Sequence, residues 1–160
     1  MLKGLPASAV EKVVSDTAFM PGAEVLAATM KAHGARSVVV SGGFTPFTGH
    51  VQKTLGFDEA IANTLEMQDG ALTGRVVPPI LDKNAKLAVL ERLAAESGGA
   101  GAILAVGDGA NDVPMLQAAG LGVAFRAKPL VAAAVPARIQ HCGLEALPYL
   151  QGLRHEQFRH

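Results

Sequence analysis

The sequence of 160 residues has the length of one domain and is long enough to bury a hydrophobic core. Lysine and arginine number 14, as do aspartate and glutamate, so the formal net charge is zero. Hydrophobic residues make up 49% of the chain and charged residues 18%, against about 25% charged in an average protein. This composition excludes a disordered chain, and without runs of like charge we expect no nucleic-acid partner.

The number of cysteines and the length of the apolar runs indicate the cellular compartment. Cys142 is the single cysteine, so an internal disulfide is excluded and a reducing compartment is favoured. No apolar run approaches the roughly 20 residues that span a bilayer, and the first residues lack the apolar stretch of a signal peptide. We therefore expect a cytoplasmic protein with no membrane partner, and we do not expect Cys142 to be a catalytic nucleophile.

Short aliphatic runs alternate with amphipathic segments along the chain. This alternation is typical of βαβ units and predicts an α/β fold with a parallel sheet. An uninterrupted apolar run such as residues 37–41 is typical of a strand buried on both faces. In the first half, the pattern predicts a helix over 23–33 that stops at Gly34, a strand over 37–41 broken by Gly42 and Gly43, and a helix over 44–55 that ends at Gly56.

The second half begins with two β-like runs in residues 62–77, separated by Asp69 and Gly70, and this dipeptide predicts a hairpin. The clearest helical pattern, over 82–99, has Asp82 as its predicted cap. Its predicted buried face consists of Leu87, Leu90, Leu93 and Ala94. Beyond it the pattern predicts a strand over 102–109, a helix over 111–120, a strand over 121–125, a helix from Lys128, a strand over 137–141 and a helix over 144–150.

Residues 1–20 stand apart from this alternation. They carry a helical pattern but precede the first strand, so we assign them outside the α/β core. No linker in the sequence is long enough to separate two globular domains. We therefore expect residues 21–160 to form one α/β core.

Both strongly apolar strands run into glycine and polar residues. In open α/β sheets, ligands bind beyond the carboxyl ends of the strands, so the motifs SGG and GDGAND should face one cleft. Glycine lets the backbone approach a ligand, and the N–H groups at the following helix starts favour an anion. Ser41, Gly42 and Gly43 are therefore a candidate phosphate cradle, although Ser41 taken alone is also compatible with capping the next helix.

The motif GDGAND contains two aspartates and an asparagine. Hard cations such as Mg²⁺ prefer carboxylate oxygens together with water and substrate phosphate, which makes Asp108 the first candidate metal ligand. Asp112 and Asn111 have structural alternatives, namely favourable placement in the first turn of a helix and helix capping. A dinucleotide-binding site is disfavoured, because Asp112 occupies the place of the third glycine and no acidic residue follows about 20 positions later.

Lys86 lies near the start of the predicted helix 82–99, where a cation opposes the helix dipole unless a negative group is close. It is therefore a candidate for neutralising phosphate, with a solvated lysine as the alternative. Ser41 has no nucleophile-elbow pattern around it, which argues against a Ser-His-Asp site. The histidines, which share no metal-ligand spacing, are His33, His50, His141, His155 and His160.

The motifs together resemble the phosphoserine phosphatases of the haloacid dehalogenase superfamily. GDGAND is shared by many phosphatases of that superfamily, whereas SGGF, the hairpin sequence and AFRAKP are similar to the phosphoserine branch in particular. The resemblance is densest in VVVSGGF (38–44), FDEAIANTLEMQDGALTGRV (57–76), NAK (84–86), AVGDGANDVPML (105–116) and AGLGVAFRAKP (119–129).

The resemblance implies roles for the candidate residues. Ser41 would bind phosphate through its hydroxyl with help from the backbone of Gly42 and Gly43, and Lys86 would balance charge on the phosphate and the nucleophile. Asp108 would ligate Mg²⁺, Asn111 would hydrogen-bond the phosphoryl group, and Asp112 would orient the metal shell. The implied reaction is hydrolysis of O-phospho-L-serine to L-serine and phosphate through an aspartyl-phosphate, the last step of serine biosynthesis.

The resemblance also implies a fold: a three-layer Rossmann-like parallel sheet of the haloacid dehalogenase type, with a β-hairpin and a partial helical cap formed by residues 1–20. The family's first strand ends in an Asp-x-Asp motif that supplies the nucleophile and the general acid, and this sequence has no Asp-x-Asp. In the family that strand lies between those corresponding to 37–41 and 102–109. Its absence would expose backbone ladder groups of both strands.

We therefore expect the chain alone to be inactive and to self-associate or to require complementation by a segment that carries the first strand. Two alternatives remain open at this point. One is a non-catalytic phosphate or Mg²⁺ binding relative that has lost the nucleophile. The other is a phosphatase for another small phosphomonoester, because the cap residues that select the substrate in the family precede the part that this sequence resembles.

Overall fold

A computed structural model describes residues 2–82 and 84–159. Helices and strands alternate, as the sequence pattern predicts. The helices are α1 (Ala7–Ser15), α2 (Ala23–Ala32), α3 (Thr45–Leu55), α4 (Ala85–Glu96), α5 (Val113–Ala118), α6 (Pro129–Ala133) and α7 (Leu147–Leu150). The strands are β1 (Val38–Phe44), β2 (Glu59–Gln68), β3 (Ala71–Val77), β4 (Leu104–Gly107), β5 (Leu121–Phe125) and β6 (Ala137–Ile139).

The chain divides into two compact units, each with its own three-stranded sheet. The first unit comprises Met1–Leu81 and Leu147–His160 and contains the sheet β1-β2-β3. The second unit comprises Asp82–Ala146 and contains the sheet β4-β5-β6. The α/β class with parallel strands is therefore confirmed. The assignment of residues 1–20 to a helical cap remains a prediction, and these residues belong to the first unit.

In the first unit, β1 and β2 are parallel, and α3 connects them. Strands β2 and β3 form the predicted antiparallel hairpin. Asp69 and Gly70 have φ angles of 51° and 78°, and two successive left-handed residues are what a tight two-residue hairpin turn requires. The Asp-Gly dipeptide therefore fixes the turn through its backbone preference.

The hairpin carries a small polar cluster. The Glu66 carboxylate accepts hydrogen bonds from the Thr73 hydroxyl at 2.6 Å and from Arg75 Nε at 2.9 Å. The Thr73 hydrogen bond, followed by that of Arg75, lowers the pKa of Glu66 below its ordinary value. These contacts cross-link β2 and β3 near the turn.

Strand β1 differs from its prediction at the glycines. It continues through Gly42 and Gly43 to Phe44, whereas the sequence pattern ended it at Ser41. Val40 pairs with Ile61, and the next pair is Phe44 with Asn63. The pairing thus advances four residues along β1 but only two along β2. The glycines therefore form a β-bulge rather than ending the strand, because extra residues can leave the ladder without breaking it.

Burial of β1 also differs from its prediction. Val38, Val39 and Val40 are half-buried, whereas an uninterrupted apolar run suggested burial on both faces. In the part of the chain that the structure describes, β1 pairs with β2 alone and is an edge strand of its sheet. One side of the strand therefore has no sheet neighbour to cover it.

The second unit is built around β5, which pairs in parallel with β4 on one side and β6 on the other. Val123 and Ala124 in this strand are fully buried. Leu116 of α5 is 1% exposed and Leu90 of α4 is 4% exposed, and both belong to the core cluster around the sheet. Among the described strands β4 is also an edge strand, and its Leu104 and Val106 are only half-buried.

Helix α4 starts later than predicted. Asp82 is not its cap, because the helix begins at Ala85 after Asn84, and Asp82 Oδ1 instead accepts the Asn84 N–H at 2.8 Å in the preceding turn. Of the predicted buried face only Leu90 is fully buried. Leu87, Leu93 and Ala94 are half-buried.

The two ends of the chain belong to the first unit. The segment before α1 pairs with β3 through Gly4 N–H to Leu72 O and Leu72 N–H to Leu5 O, both 2.8 Å. Near the other end, the Arg159 N–H donates to the buried Thr29 hydroxyl at 2.9 Å. In the described part of the chain, no helix is long and apolar enough to cross a membrane.

Candidate active site

A glycine-containing loop joins β4 to α5 and holds most of the candidate residues. After Gly107 the chain passes through Asp108 and Gly109 into a single 3₁₀ turn, Ala110–Asp112, and then enters α5. This loop lies at the carboxyl end of a strand in a parallel sheet, where open α/β folds bind ligands. The sequence therefore located the loop correctly.

The Asp112 carboxylate organises the loop from inside. Asp112 is 2% exposed. Its Oδ2 accepts the backbone N–H groups of Asp108 at 3.0 Å and Gly109 at 2.9 Å, and its Oδ1 accepts from Lys86 Nζ. Three donors on one buried carboxylate satisfy most of its acceptor capacity. Asp112 thus fixes both the backbone of the loop and the position of the lysine.

This arrangement bears on two glycines of the loop. A Cβ built on Gly107 would lie 2.6 Å from both Cβ and Oδ2 of Asp112, closer than van der Waals contact allows. A Cβ built on Gly109 would collide with Oδ1 of Asn111. The loop therefore requires glycine at position 107, where the buried Asp112 side chain cannot move away, whereas at position 109 the exposed Asn111 side chain could move aside.

Lys86 lies in the first turn of α4, as predicted, and its side chain is 18% exposed. The ion pair with Asp112 is the nearby negative charge that a lysine at a helix start needs. The alternative of a solvated lysine is therefore wrong. A lysine held this way presents its remaining N–H donors in a fixed direction.

Asp108 and Asn111 are the exposed polar residues of the loop. Among the residues that the structure describes, the Asp108 carboxylate has no hydrogen-bond partner, and no group of three histidine, cysteine, aspartate or glutamate side chains surrounds a metal position. An unpartnered exposed carboxylate suits Mg²⁺, which keeps several waters and uses one or two protein carboxylates. The donor set therefore fits Mg²⁺ through Asp108, with Asp112 supporting the loop behind it.

In the first unit, Ser41, Gly42 and Gly43 form the bulge of β1. Ser41 Oγ accepts the Gly43 N–H at 3.0 Å. Helix α3 begins at Thr45 after Phe44, with no side-chain cap, so the alternative in which Ser41 caps this helix is wrong. Because Ser41 Oγ acts as an acceptor in this contact, its hydroxyl hydrogen remains available to a ligand.

Sequence reasoning missed Asn63, a buried residue of β2 beside the bulge. Its Nδ2 donates to the Gly42 carbonyl at 2.9 Å, and its Oδ1 accepts the Leu81 N–H at 2.8 Å. Asparagine is depleted in strands, so its presence inside the strand-like run ANTLEM was the available signal.

Each candidate residue thus lies in an ordered local environment within its own unit. The second unit brings together Lys86, Asp108, Asn111 and Asp112. The first holds Ser41, Gly42 and Gly43 with the additional residue Asn63.

Comparison with known proteins identifies the class. A model of the haloacid dehalogenase-like hydrolase family matches residues 1–117, and the chain belongs to this family. A phosphoserine phosphatase of Streptomyces coelicolor is 48% identical over 158 residues, which are 98% of this chain and 38% of that protein. The resemblance to phosphoserine phosphatases in the sequence motifs is therefore confirmed.

Solved structures of haloacid dehalogenase family proteins are also similar to this chain. A haloacid dehalogenase family hydrolase from Salmonella enterica serovar Typhi matches with a TM-score of 0.88 at 36% identity, covering 94% of this chain and 52% of that one. A substrate-bound phosphoserine phosphatase complex matches with a TM-score of 0.85 at 41% identity, covering 92% of this chain and 71% of that one. The chain thus spans well under half of the Streptomyces relative and about half of the Salmonella structure.

The Lys86–Asp112 pair can be tested through stability. We expect Asp112→Asn to lower the free energy of unfolding by about 3 kcal/mol, because it leaves a largely buried ammonium without its partner. Lys86→Met should cost less, since Asp112 keeps its two backbone donors. The double variant should be less destabilised than the sum of the single variants by about 1 kcal/mol or more, as measured by urea unfolding.

The matched control is Glu91→Gln, an exposed position on the same helix as Lys86, which should change stability by less than about 0.5 kcal/mol. Strict additivity of the Lys86 and Asp112 substitutions would contradict the pairing.

Proposed function

We propose that this chain is the phosphate-binding and metal-binding part of a phosphoserine phosphatase. The reaction is hydrolysis of O-phospho-L-serine to L-serine and phosphate, the last step of serine biosynthesis. The observation that carries the proposal is the Lys86–Asp112 pair held behind the exposed Asp108 in a glycine-containing loop. The phosphoserine phosphatases among its relatives support the choice of substrate.

Each unit offers groups suited to a phosphoryl group. In the first unit, the Ser41 hydroxyl and the Gly42 N–H provide the neutral donors, and the Gly43 N–H orients Ser41. In the second, Asn111 donates its side-chain amide and Lys86 supplies positive charge. Such preorganised donors stabilise the charge that develops on the oxygens during phosphoryl transfer.

Asp108 would hold Mg²⁺ with water and substrate oxygens completing the coordination, and Asp112 orients the loop that presents it. When bound, the ion neutralises phosphate charge as a Lewis acid. The contribution of this chain is the position of the Asp108 carboxylate. The hydrogen bonds that the backbone N–H groups of Asp108 and Gly109 donate to the Asp112 carboxylate fix that position.

The nucleophile comes from a complementing segment. The aspartates of this sequence contain no Asp-x-Asp pair. In the reaction, an aspartate oxygen of that segment bonds to phosphorus as the bond from phosphorus to the serine oxygen breaks, and the second aspartate protonates the serine oxygen. Water then cleaves the aspartyl-phosphate to release phosphate and restore the carboxylate.

The open edges of β1 and β4 are where such a segment can pair. Each strand has one side without a sheet partner among the described strands, and unpaired ladder groups on apolar strands favour pairing with another chain. We infer that the chain self-associates when no complement is present. Cys142 is exposed and free of any disulfide, which supports a reducing compartment and hence the cytoplasm.

Complementation tests the proposal. Phosphate release from O-phospho-L-serine should be undetectable with the purified chain and Mg²⁺ alone. It should appear when a segment containing an Asp-x-Asp strand and the start of the helical cap is added. Lys86→Met should reduce the restored kcat at least about 100-fold, because uncompensated charge in the transition state costs several kcal/mol.

The same segment with asparagines in place of both aspartates is the control and should restore no turnover. Turnover by the chain alone would overturn the division of labour between chain and segment. Failure of a well-folded complement to restore activity would overturn the phosphatase proposal.

Metal binding is testable without turnover. Calorimetric titration should detect weak Mg²⁺ binding to the wild-type chain, because only one exposed carboxylate is offered. We expect Asp108→Asn to weaken it at least about tenfold. Asp16→Asn, at an exposed position after α1, should leave it unchanged, whereas tight binding that survives Asp108→Asn would place the metal elsewhere.

A further inference from the structure

We propose that Asn63 is a positioning residue, which holds the Ser41–Gly42–Gly43 bulge in the geometry that binds phosphate. The inference rests on the proposed function, because it concerns the phosphate-binding bulge. Asn63 is 6% exposed and lies opposite Phe44, at the point where the β1–β2 register resumes after the bulge. It is therefore the buried polar side chain at the edge of the irregularity.

Asn63 controls one peptide group. The Gly42 carbonyl and the Gly43 N–H belong to the same planar peptide unit, in which a trans bond directs them to opposite sides. The carbonyl accepts from Asn63 Nδ2 at 2.9 Å, and the N–H donates to Ser41 Oγ at 3.0 Å. Fixing the carbonyl therefore fixes the direction of the N–H.

The orientation of this peptide determines whether its N–H group or its carbonyl oxygen lies on the side of Ser41. A peptide flip would turn the Gly42 carbonyl oxygen toward the side that now presents the Gly43 N–H, and a carbonyl oxygen repels phosphate. Two successive glycines make such a flip easy, because neither has a Cβ to restrict φ and ψ. The bulge thus needs an external restraint, and the Asn63 amide provides it.

The restraint extends to Ser41. Its Oγ accepts the Gly43 N–H, which selects one side-chain orientation and leaves the hydroxyl hydrogen as the group that can donate to a phosphate oxygen. Asn63 thus contacts the Gly42–Gly43 peptide, and that peptide in turn contacts Ser41. Asn63 therefore acts through this peptide and Ser41 and need not touch the substrate.

The amide of Asn63 is itself held in one orientation. Oδ1 accepts the Leu81 N–H at 2.8 Å, so Nδ2 must face the Gly42 carbonyl, and the reverse orientation would place two donors and two acceptors together. Leu81 directly precedes Asp82, where the second unit begins. One side chain thus ties the bulge to the last residue of the first unit before the chain enters the second.

Titration of the full chain with inorganic phosphate tests the proposal. Asn63→Asp keeps the acceptor for the Leu81 N–H and removes the donor to the Gly42 carbonyl. We expect it to weaken phosphate binding about tenfold, the effect of one hydrogen bond. Asn63→Leu removes the donor without adding charge and should give a similar loss, and Thr64→Asp, at the exposed neighbouring position, should change affinity less than about twofold.

A double-mutant cycle separates positioning from a general structural effect. In a Ser41→Ala chain the hydroxyl is already missing and only the direct effect of the peptide orientation is left, so adding Asn63→Asp should weaken phosphate binding by about threefold or less. A full tenfold loss in both backgrounds would overturn the proposal, because Asn63 would then act independently of Ser41. Equal affinity of wild type and Asn63→Asp would also overturn it.

Backbone order parameters of Gly42 and Gly43 give a readout that needs no phosphate. The restraint predicts values near 0.85 in the wild-type chain before phosphate is added, falling toward about 0.6 in Asn63→Asp. Low values in the wild type would overturn the restraint. Ordered glycines in a wild-type chain that binds no phosphate would instead overturn the proposed function of the bulge and leave the Asn63 contacts intact.

Discussion

The buried Asp112 carboxylate is the interaction on which the second unit's site depends. A carboxylate that is 2% exposed is stable only when its oxygens are paired, and here a lysine ammonium and two backbone N–H groups supply the donors. The same contacts fix the loop, locate the lysine and leave Asp108 facing solvent. Glycine at position 107 follows, because the Asp112 side chain lies too close to the loop backbone for a Cβ there.

In the first unit, a neutral side chain rather than a carboxylate holds the phosphate-binding element that we propose. This flexible element is the Ser41–Gly42–Gly43 bulge, and a buried asparagine from the neighbouring strand holds it. In both units, the groups that we propose bind phosphate have a buried polar residue behind them. Transition-state stabilisation relies on such preorganised donors, because they need no reorientation during the reaction.

Local sequence signals predicted the elements whose geometry is local. The Asp69–Gly70 turn, the apolar strand 121–125 and the glycine loop after β4 depend on near neighbours, and each was found from the sequence. The bulge of β1 was missed because its cause is the pairing with β2, about 20 residues away. Asn63 was missed for the same reason, since its partners Gly42 and Leu81 lie 21 and 18 residues distant. The capping role of Asp82 was wrong because an Asx-type turn to Asn84 competed with the helix start.

The central claim is that the assembled site acts on phosphoserine. Its most direct test is kcat/KM of the complemented chain across a panel of small phosphomonoesters, including O-phospho-L-serine, O-phospho-L-threonine, a sugar phosphate and glycerol phosphate. We expect O-phospho-L-serine to give the highest kcat/KM, with the release of one phosphate per serine formed. A higher value for an ester without an amino-acid group would contradict the claim.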